Sequence, residues 1–452
     1  MKAKNILCTT ALGLVFLTAA QAQTTIEITG ATAFRKGTLA AIKQLYTNGG
    51  SFKYAHDQSS SGSFTSSTRA IFQGTVPGIS GTTTIRTAFS GSVEGLRALA
   101  LGGNFSEKYL DPAGSSFANA SMSSSGTEVL SYNVQDSASS QAEFAFSDVD
   151  KAATPLASYN LPGDRVGVVA FTMITNEGAP ANITNVTSKQ FQALFSAGRV
   201  PAYVLTGVTT DNATMVYAVG RNDGSGTRTT YMAETGLGIT TPVVQYATSG
   251  NYVTTTGNGS IQKIYKVPTG GNKPELLGSR SADASTVWQN NILGNGGYFS
   301  GGSLVTILGY TSSSTEVLEY DEEMNDGTVN ILRAAGPIAL VSFLSVSDAV
   351  TARNNGARFL SYNGVRLDGV AATGVSALTQ DDKDKIRTGA YTAWSYQNLY
   401  SRTAFASNSN EGVLKTALIG ALPAAITSEA VGLTMTEMNL ASRAVDGGPV
   451  KP

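Results

Sequence analysis

The stretch Val216 to Met232, VYAVGRNDGSGTRTTYM, decides how this chain folds and what it handles. An apolar run reads as a buried strand. Arg221 and Asp223 follow, then Gly-Ser-Gly-Thr, then the first turn of a helix. Three other places share that design. In TTIEITGATAFRKGTLAAIKQLY, Ile26 and Ile28 alternate with polar residues, and Leu39, Ile42, Leu45 and Tyr46 then fall at helical spacing. In TTTIRTAFSGSVEGLRALALGG a strand runs to Phe89 and a helix begins near Val93. The third is AEFAFSDVD, a strand that ends on Ser147 and Asp148. Strands alternating with helices predict an α/β fold with mostly parallel sheets.

In such sheets, corners at the carboxyl ends of strands converge on one crevice. A helix N-terminus there presents unpaired N–H groups and a partial positive charge, so it receives anions. Thr32, Ser92, Ser225 and Thr227 offer hydroxyls, and the amides of Phe34, Gly226 and Thr227 offer N–H groups. Arg221 adds a fork that grips two oxygens at once. Asp148 and Asp223 look misplaced beside an anion, because a carboxylate facing one costs several kcal/mol unless a proton lies between them. Monohydrogen phosphate carries that proton and sulfate does not, so an aspartate in a dry pocket selects phosphate by repelling sulfate. Arg221 is expected to pair with one of the two aspartates and keep it ionised. Each corner alone has a plainer explanation: a common turn, a helix cap or a loop ion pair. Four in one chain favour an oxyanion site.

Bulk properties agree. The 452 residues open with MKAKNILCTTALGLVFLTAAQAQ, where Lys2 and Lys4 precede a short apolar core and Ala20-Gln21-Ala22 fits small-x-small cleavage. That reads as a Sec-type signal peptide over residues 1–22, too short to span a bilayer. Cys8, the single cysteine, lies within it, and Asn5 stands where a lipoprotein signal carries leucine. Export to a periplasm or the extracellular space is expected, with no disulfide to support the fold. Without the two lysines the chain holds 29 basic and 32 acidic residues, a formal charge of −3. No long basic run remains, which argues against nucleic acid as partner. No later segment reaches the ~18 apolar residues of a membrane span.

Further along, VGVVAFTMITNEG (166–178) reads as a buried strand and SKQFQALFSAG (188–198) as a helix capped by Thr187 or Ser188. Residues 238–330, rich in Gly, Thr, Ser and Asn, read as short strands and long loops. GPIALVSFLSVSDAV returns to a buried strand feeding a helix, and EGVLKTALIGALPAAI reads as a late helix. Catalysis finds little support. His56, the lone histidine, sits in a polar stretch and is read as solvated or capping; no G-x-S-x-G elbow accompanies it. One histidine and no cysteine beyond the leader leave no zinc set, and the Gly220–Arg228 run lacks a P-loop's Gly-Lys-Ser/Thr end. Trp288 and Trp394 are expected as core or surface anchors. No enzyme activity, metal or cofactor is expected.

Arg221 to Thr227, R-x-D-G-S-G-T, resembles the ligand loop of the periplasmic phosphate-binding proteins that serve ABC transporters. The order ITGATAF, SGSVEG, AFSDVD, VGVVAFTMITNEG, FQALFSAG, then the loop, supports the likeness, as do GPIALVSFLSVSDA and GAYTAWSYQNLY. The resemblance covers most of 25–232 and 336–400, in patches. It implies a two-lobed α/β periplasmic-binding-protein-like (type II) fold with crossing hinge strands and β/loop-rich insertions. It divides the chain into residues 23–164 (first part of lobe 1), 165–338 (lobe 2, inserted at about 238–330) and 339–452 (return to lobe 1 and C-terminal helices). It implies inorganic phosphate held by the Phe34 amide, Ser92, Asp148, Arg221, Asp223, Ser225, Gly226 and Thr227, with ABC permease subunits as partners. Two departures stand out: Ala33 replaces the hydroxyl residue usual before the aromatic, and the chain is longer than a typical member, at 100–140 and 238–330. Two rival readings stay open: an extracellular structural or adhesive protein that keeps the fold without ligand, and a secreted phosphate-handling enzyme.

Overall fold

The computed structural model describes residues 23–49, 52–57, 64–102, 109–110, 129–130, 134–135, 140–251, 260–266, 297–309, 311–312, 318–320, 338–369 and 378–451. The putting-together of the sheet follows from one long strand. Gly163–Thr175 carries ten consecutive buried residues at its far end, so both faces and both edges of it must be covered. Its first part pairs antiparallel with Trp394–Ser401 (Ala170 opposite Trp394), and its last part with Ile338–Ser345 and Arg358–Tyr362. It therefore belongs to both halves of the molecule and joins them.

In the first half, Gln23–Gly30 lies between Thr82–Ala88 and Phe144–Ser147, parallel to both. Arg69–Gly74 and Phe52–His56 extend the sheet antiparallel beyond Thr82–Ala88. In the second half, Met215–Ala218 runs parallel to Ile338–Ser345, with Arg199–Pro201 antiparallel at its edge. The expectation of a mostly parallel sheet is thus corrected: the sheet is mixed, because the joining strand and its three neighbours run antiparallel. Ile338–Ser345 and Arg358–Tyr362 still pair within the second half, and only Trp394–Ser401 reaches Phe144–Ser147 of the first.

Helix Arg35–Gly49 buries Leu39, Ile42, Leu45 and Tyr46, the residues whose spacing predicted it. The Tyr46 hydroxyl donates to the Thr83 carbonyl at 3.0 Å, which ties the helix to the sheet. Against it packs Asn410–Glu429, buried through Leu414, Leu418, Leu422 and Ile426, a repeat of four that makes one apolar stripe. Ser188–Ala197 begins at a Thr187–Gln190 capping box and ends at Gly198 in the left-handed region. No helix of the described residues is long and apolar enough to cross a membrane.

Two readings change in detail. His56 is buried at the end of Phe52–His56, with its ring 6.5 Å from that of Phe64, and is not solvated. The polar residues after it hid the strand that precedes it. Within 238–330 the described residues hold four short strands, and also a helix, Gly301–Leu308, capped by Ser300. Its Leu304, Ile307 and Leu308 are buried, but eight residues are too few for periodicity to announce it. Trp394 is a core anchor, with the Arg443 guanidinium 4.2 Å from its ring. Trp288 and Cys8 lie outside the described residues.

Asp446 gives the fold a pH signature. Its buried carboxyl accepts from the Asp150 amide at 2.6 Å, yet burial outweighs that bond and pushes its pKa up from 3.8 to about 6. The folded state therefore holds the proton that the unfolded chain releases. Stability from this group is complete below pH 3.8 and is lost as pH rises through about 6. The unfolding free energy in urea should fall by on the order of 2 kcal/mol over that window. Asp446→Asn should flatten the decline, and an unchanged slope would contradict the assignment.

Candidate functional site

All four corners meet between the two halves. The Gly91 amide donates to the Gly30 carbonyl at 3.0 Å, and Ala31 donates to the Phe146 carbonyl at 2.8 Å, so the three corners of the first half are stitched together. From the second half, the Gly224 carbonyl accepts from Val93 at 2.9 Å and Glu94 at 3.4 Å. Gly91 has φ +136 and lies so close to Gly224 that a Cβ would overlap its carbonyl oxygen. Only glycine lets these two corners touch.

Asp148 is the centre of the arrangement. Ser92 Oγ bonds its Oδ1 and also accepts from its amide at 3.1 Å. Thr227 Oγ1 lies 3.5 Å from its Oδ2, and Thr230 Oγ1 donates to its carbonyl at 3.3 Å. Its carboxyl is buried, and burial raises its pKa against the opposing pull of the Ser92 bond and the Arg221 charge. Gly226 opens helix Gly226–Glu234 with its Cα against the same carboxylate; a Cβ there would overlap Asp148 Oδ1 and come within 2.7 Å of Ser92 Oγ. The amides of Gly226 and Thr227 belong to the first turn of this helix and lack intrahelical acceptors.

Arg221 is buried as well. Nε donates to the Tyr298 carbonyl at 3.1 Å, and Nη2 to the Phe299 carbonyl at 2.8 Å and to Thr32 Oγ1 at 3.3 Å. Burial lowers its pKa to about 10, and Asp148 and then Asp348 act against that fall. It therefore remains a cation at neutral pH. Phe34 is buried with its ring 5.8 Å from that of Phe146, and its carbonyl accepts from Thr38, so its amide stands at the entrance of helix Arg35–Gly49.

Asp223 and Ser225 sit differently from expectation. Asp223 faces Arg97 of helix Ser92–Leu101, with Nη2 2.9 Å from Oδ2, while Nη1 of the same arginine holds Glu94 Oε1 at 3.0 Å. Of the two aspartates expected to pair with Arg221, Asp223 is taken by Arg97. Arg221 is instead drawn to Asp148, and a partner 126 residues away takes Asp223. Asp223 thus clasps the loop to the first half of the molecule. Ser225 Oγ accepts from the Arg228 amide at 3.3 Å and caps its own helix. The N-terminus of Ser92–Leu101, expected to face an anion, has its Val93 and Glu94 amides on the Gly224 carbonyl.

Sequence reasoning missed Arg97, Arg228 and Arg35. Arg228 Nη1 donates to the Arg221 carbonyl at 3.2 Å and stiffens the loop from behind. Arg35 follows Phe34 directly, and its charge acts on Asp348 and on Arg221. Position next to a corner was the available signal. Elsewhere among the described residues, the acidic trio Asp368, Asp381 and Asp382 lies close together. Asp382 directs its carboxylate at the amides of Asp368, Gly369 and Thr379 at 2.7–2.9 Å, which is a capping role.

No family model and no curated protein matches the chain. Among solved structures it is similar to a Clostridium perfringens chain described as a phosphate ABC transporter substrate-binding protein and solved with bound phosphate. The TM-score there is 0.42 and the identity 10%, over 91% of this chain and 99% of that one. It is similar to an ABC-type phosphate transport receptor from Vibrio cholerae (TM-score 0.40, 12% identity, 91% and 100% covered). It is also similar to a phosphate-binding protein from Stenotrophomonas maltophilia (TM-score 0.34, 12% identity, 92% of each chain).

Proposed function

We propose that this chain is a secreted, non-enzymatic binding protein that captures inorganic phosphate, or a closely similar tetrahedral oxyanion, between its two halves for uptake by an ABC permease. The observation that carries the reading is the meeting of Ser92, Asp148, Arg221, Gly226 and Thr227 from three distant segments around one desolvated carboxylate. Phosphate donates its proton to Asp148 and accepts from the hydroxyls, the first amides of Gly226–Glu234 and the Arg221 fork. Thr32 and the Phe34 amide border the same space. Charge-assisted bonds contribute ~1.5–3 kcal/mol each, and dissociation constants in the micromolar range or below, about 8 kcal/mol or more, are expected. Export and the permease follow from the leader and the sequence resemblance.

Asp148 is the proton reader in this scheme, and Asp223 is not. Titration calorimetry should show phosphate bound in preference to sulfate at neutral pH, with the preference shrinking as pH falls and Asp148 itself takes a proton. Asp148→Asn should narrow the phosphate-to-sulfate ratio at least about tenfold, because an amide can donate to sulfate. A ratio left intact would remove the role given to Asp148. One observation favours a second reading, a scaffold without ligand: the Ser92, Asp148 and Thr227 side chains already bond one another, and Gly224 already covers Val93 and Glu94. Absence of heat with phosphate, sulfate and arsenate would select it.

A further inference from the structure

We infer that Arg35 is a second guanidinium ligand of the same anion; this rests on the phosphate reading above. Arg35 opens helix Arg35–Gly49, three residues after Thr32, which receives a hydrogen bond from Arg221. Its Nε is buried and has no hydrogen-bond partner. No described residue forms a hydrogen bond or ion pair with its guanidinium. Holding a half-buried cation without a hydrogen-bonded counter-charge is unfavourable, so the position is poor for stability and suited to an anion that arrives later.

The charges around it leave it available to an anion. Asp348 is the stronger attraction, and Asp57 a weaker one. Both carboxylates are engaged elsewhere: Asp348 Oδ2 with Ser345 Oγ at 3.1 Å, and Asp57 with the Thr68 and Arg69 amides at 2.9 and 3.0 Å. Arg35 and Arg221 act on each other and share Asp348. Arg35 and Arg221 bring two positive charges to a site where Asp148 and Asp348 supply two negative ones, so the second guanidinium offsets the repulsion that an incoming anion would otherwise meet. Each planar fork can grip two oxygens of a tetrahedral group. Lys36, one residue on, acts on Glu429 and not on this cluster.

The test is calorimetry with inorganic phosphate on the whole chain, comparing wild type with Arg35→Gln, Arg35→Lys and Lys36→Gln, together with thermal unfolding of each without phosphate. Arg35→Gln should raise the dissociation constant about 10- to 100-fold, as loss of one or two charge-assisted bonds does. Arg35→Lys should recover part of the loss, and Lys36→Gln should bind as wild type does. The melting temperature of Arg35→Gln should hold or rise, since a desolvated cation has gone. Affinity of Arg35→Gln within twofold of wild type overturns the inference while leaving the phosphate reading intact. A fall in its melting temperature parallel to the affinity loss overturns it too, by assigning Arg35 a structural role. If wild type binds no phosphate, the functional reading fails and this inference with it.

Discussion

Arg221→Ala should weaken phosphate binding by at least about 100-fold. The arginine is fixed by three hydrogen bonds, to the Tyr298 and Phe299 carbonyls and to Thr32. A ligand that meets it finds the two remaining Nη1 hydrogens already oriented, so little side-chain entropy opposes the contact. Two charge-assisted bonds at ~1.5–3 kcal/mol each give the expected factor, at about 1.4 kcal/mol per decade. Sulfate binding should fall by a similar factor, because the fork attracts charge and does not read the proton. That common loss separates Arg221 from Asp148, whose replacement changes the ratio. The two carbonyls left without a donor should also lower the melting temperature, so affinity is to be measured well below it. Binding within threefold of wild type would remove Arg221 from the site.

Gly226→Ala should be nearly as damaging, for a steric reason. The added carbon would overlap Asp148 Oδ1 and crowd Ser92 Oγ, both of them buried. Relief requires Asp148 to turn away, which breaks its bonds to Ser92 and Thr227 together. A loss of about 100-fold or more in phosphate affinity is expected, with the phosphate-to-sulfate preference lost as well. A variant that binds as wild type does would show that helix Gly226–Glu234 and Asp148 separate in solution, against the geometry described.

How much of this could be read from the sequence depended on the range of the interaction. Strand–turn–helix units were legible because alternation at Ile26 and Ile28, then spacing at Leu39, Ile42 and Leu45, is decided within a few residues. Thr187 was legible as a cap for the same reason. The four corners were legible as donors, since hydroxyls and glycines at helix starts carry their own chemistry. Which corner contacts which was not. Asp223 stood two residues from Arg221, and proximity in sequence suggested a pair; the loop's path sends it instead to Arg97, on a helix from the other half. Nothing near Arg35 in the sequence pointed to Asp348 and Arg221, whose charges the fold brings to act on it. His56 looked solvated because its strand is short and polar residues follow it. Strand direction was hidden for a related reason: hydrogen-bonding partners come from segments hundreds of residues apart, and alternation is the same in parallel and antiparallel neighbours.

The central claim is that one tetrahedral dianion sits where Ser92, Asp148, Arg221, Gly226 and Thr227 meet. Titration calorimetry of the chain from Gln23 onward with inorganic phosphate, after exhaustive removal of phosphate carried from the cell, tests it most directly. The account predicts a single site per chain with a dissociation constant in the micromolar range or below. No heat of binding at millimolar phosphate, from a protein shown to be folded, would contradict it.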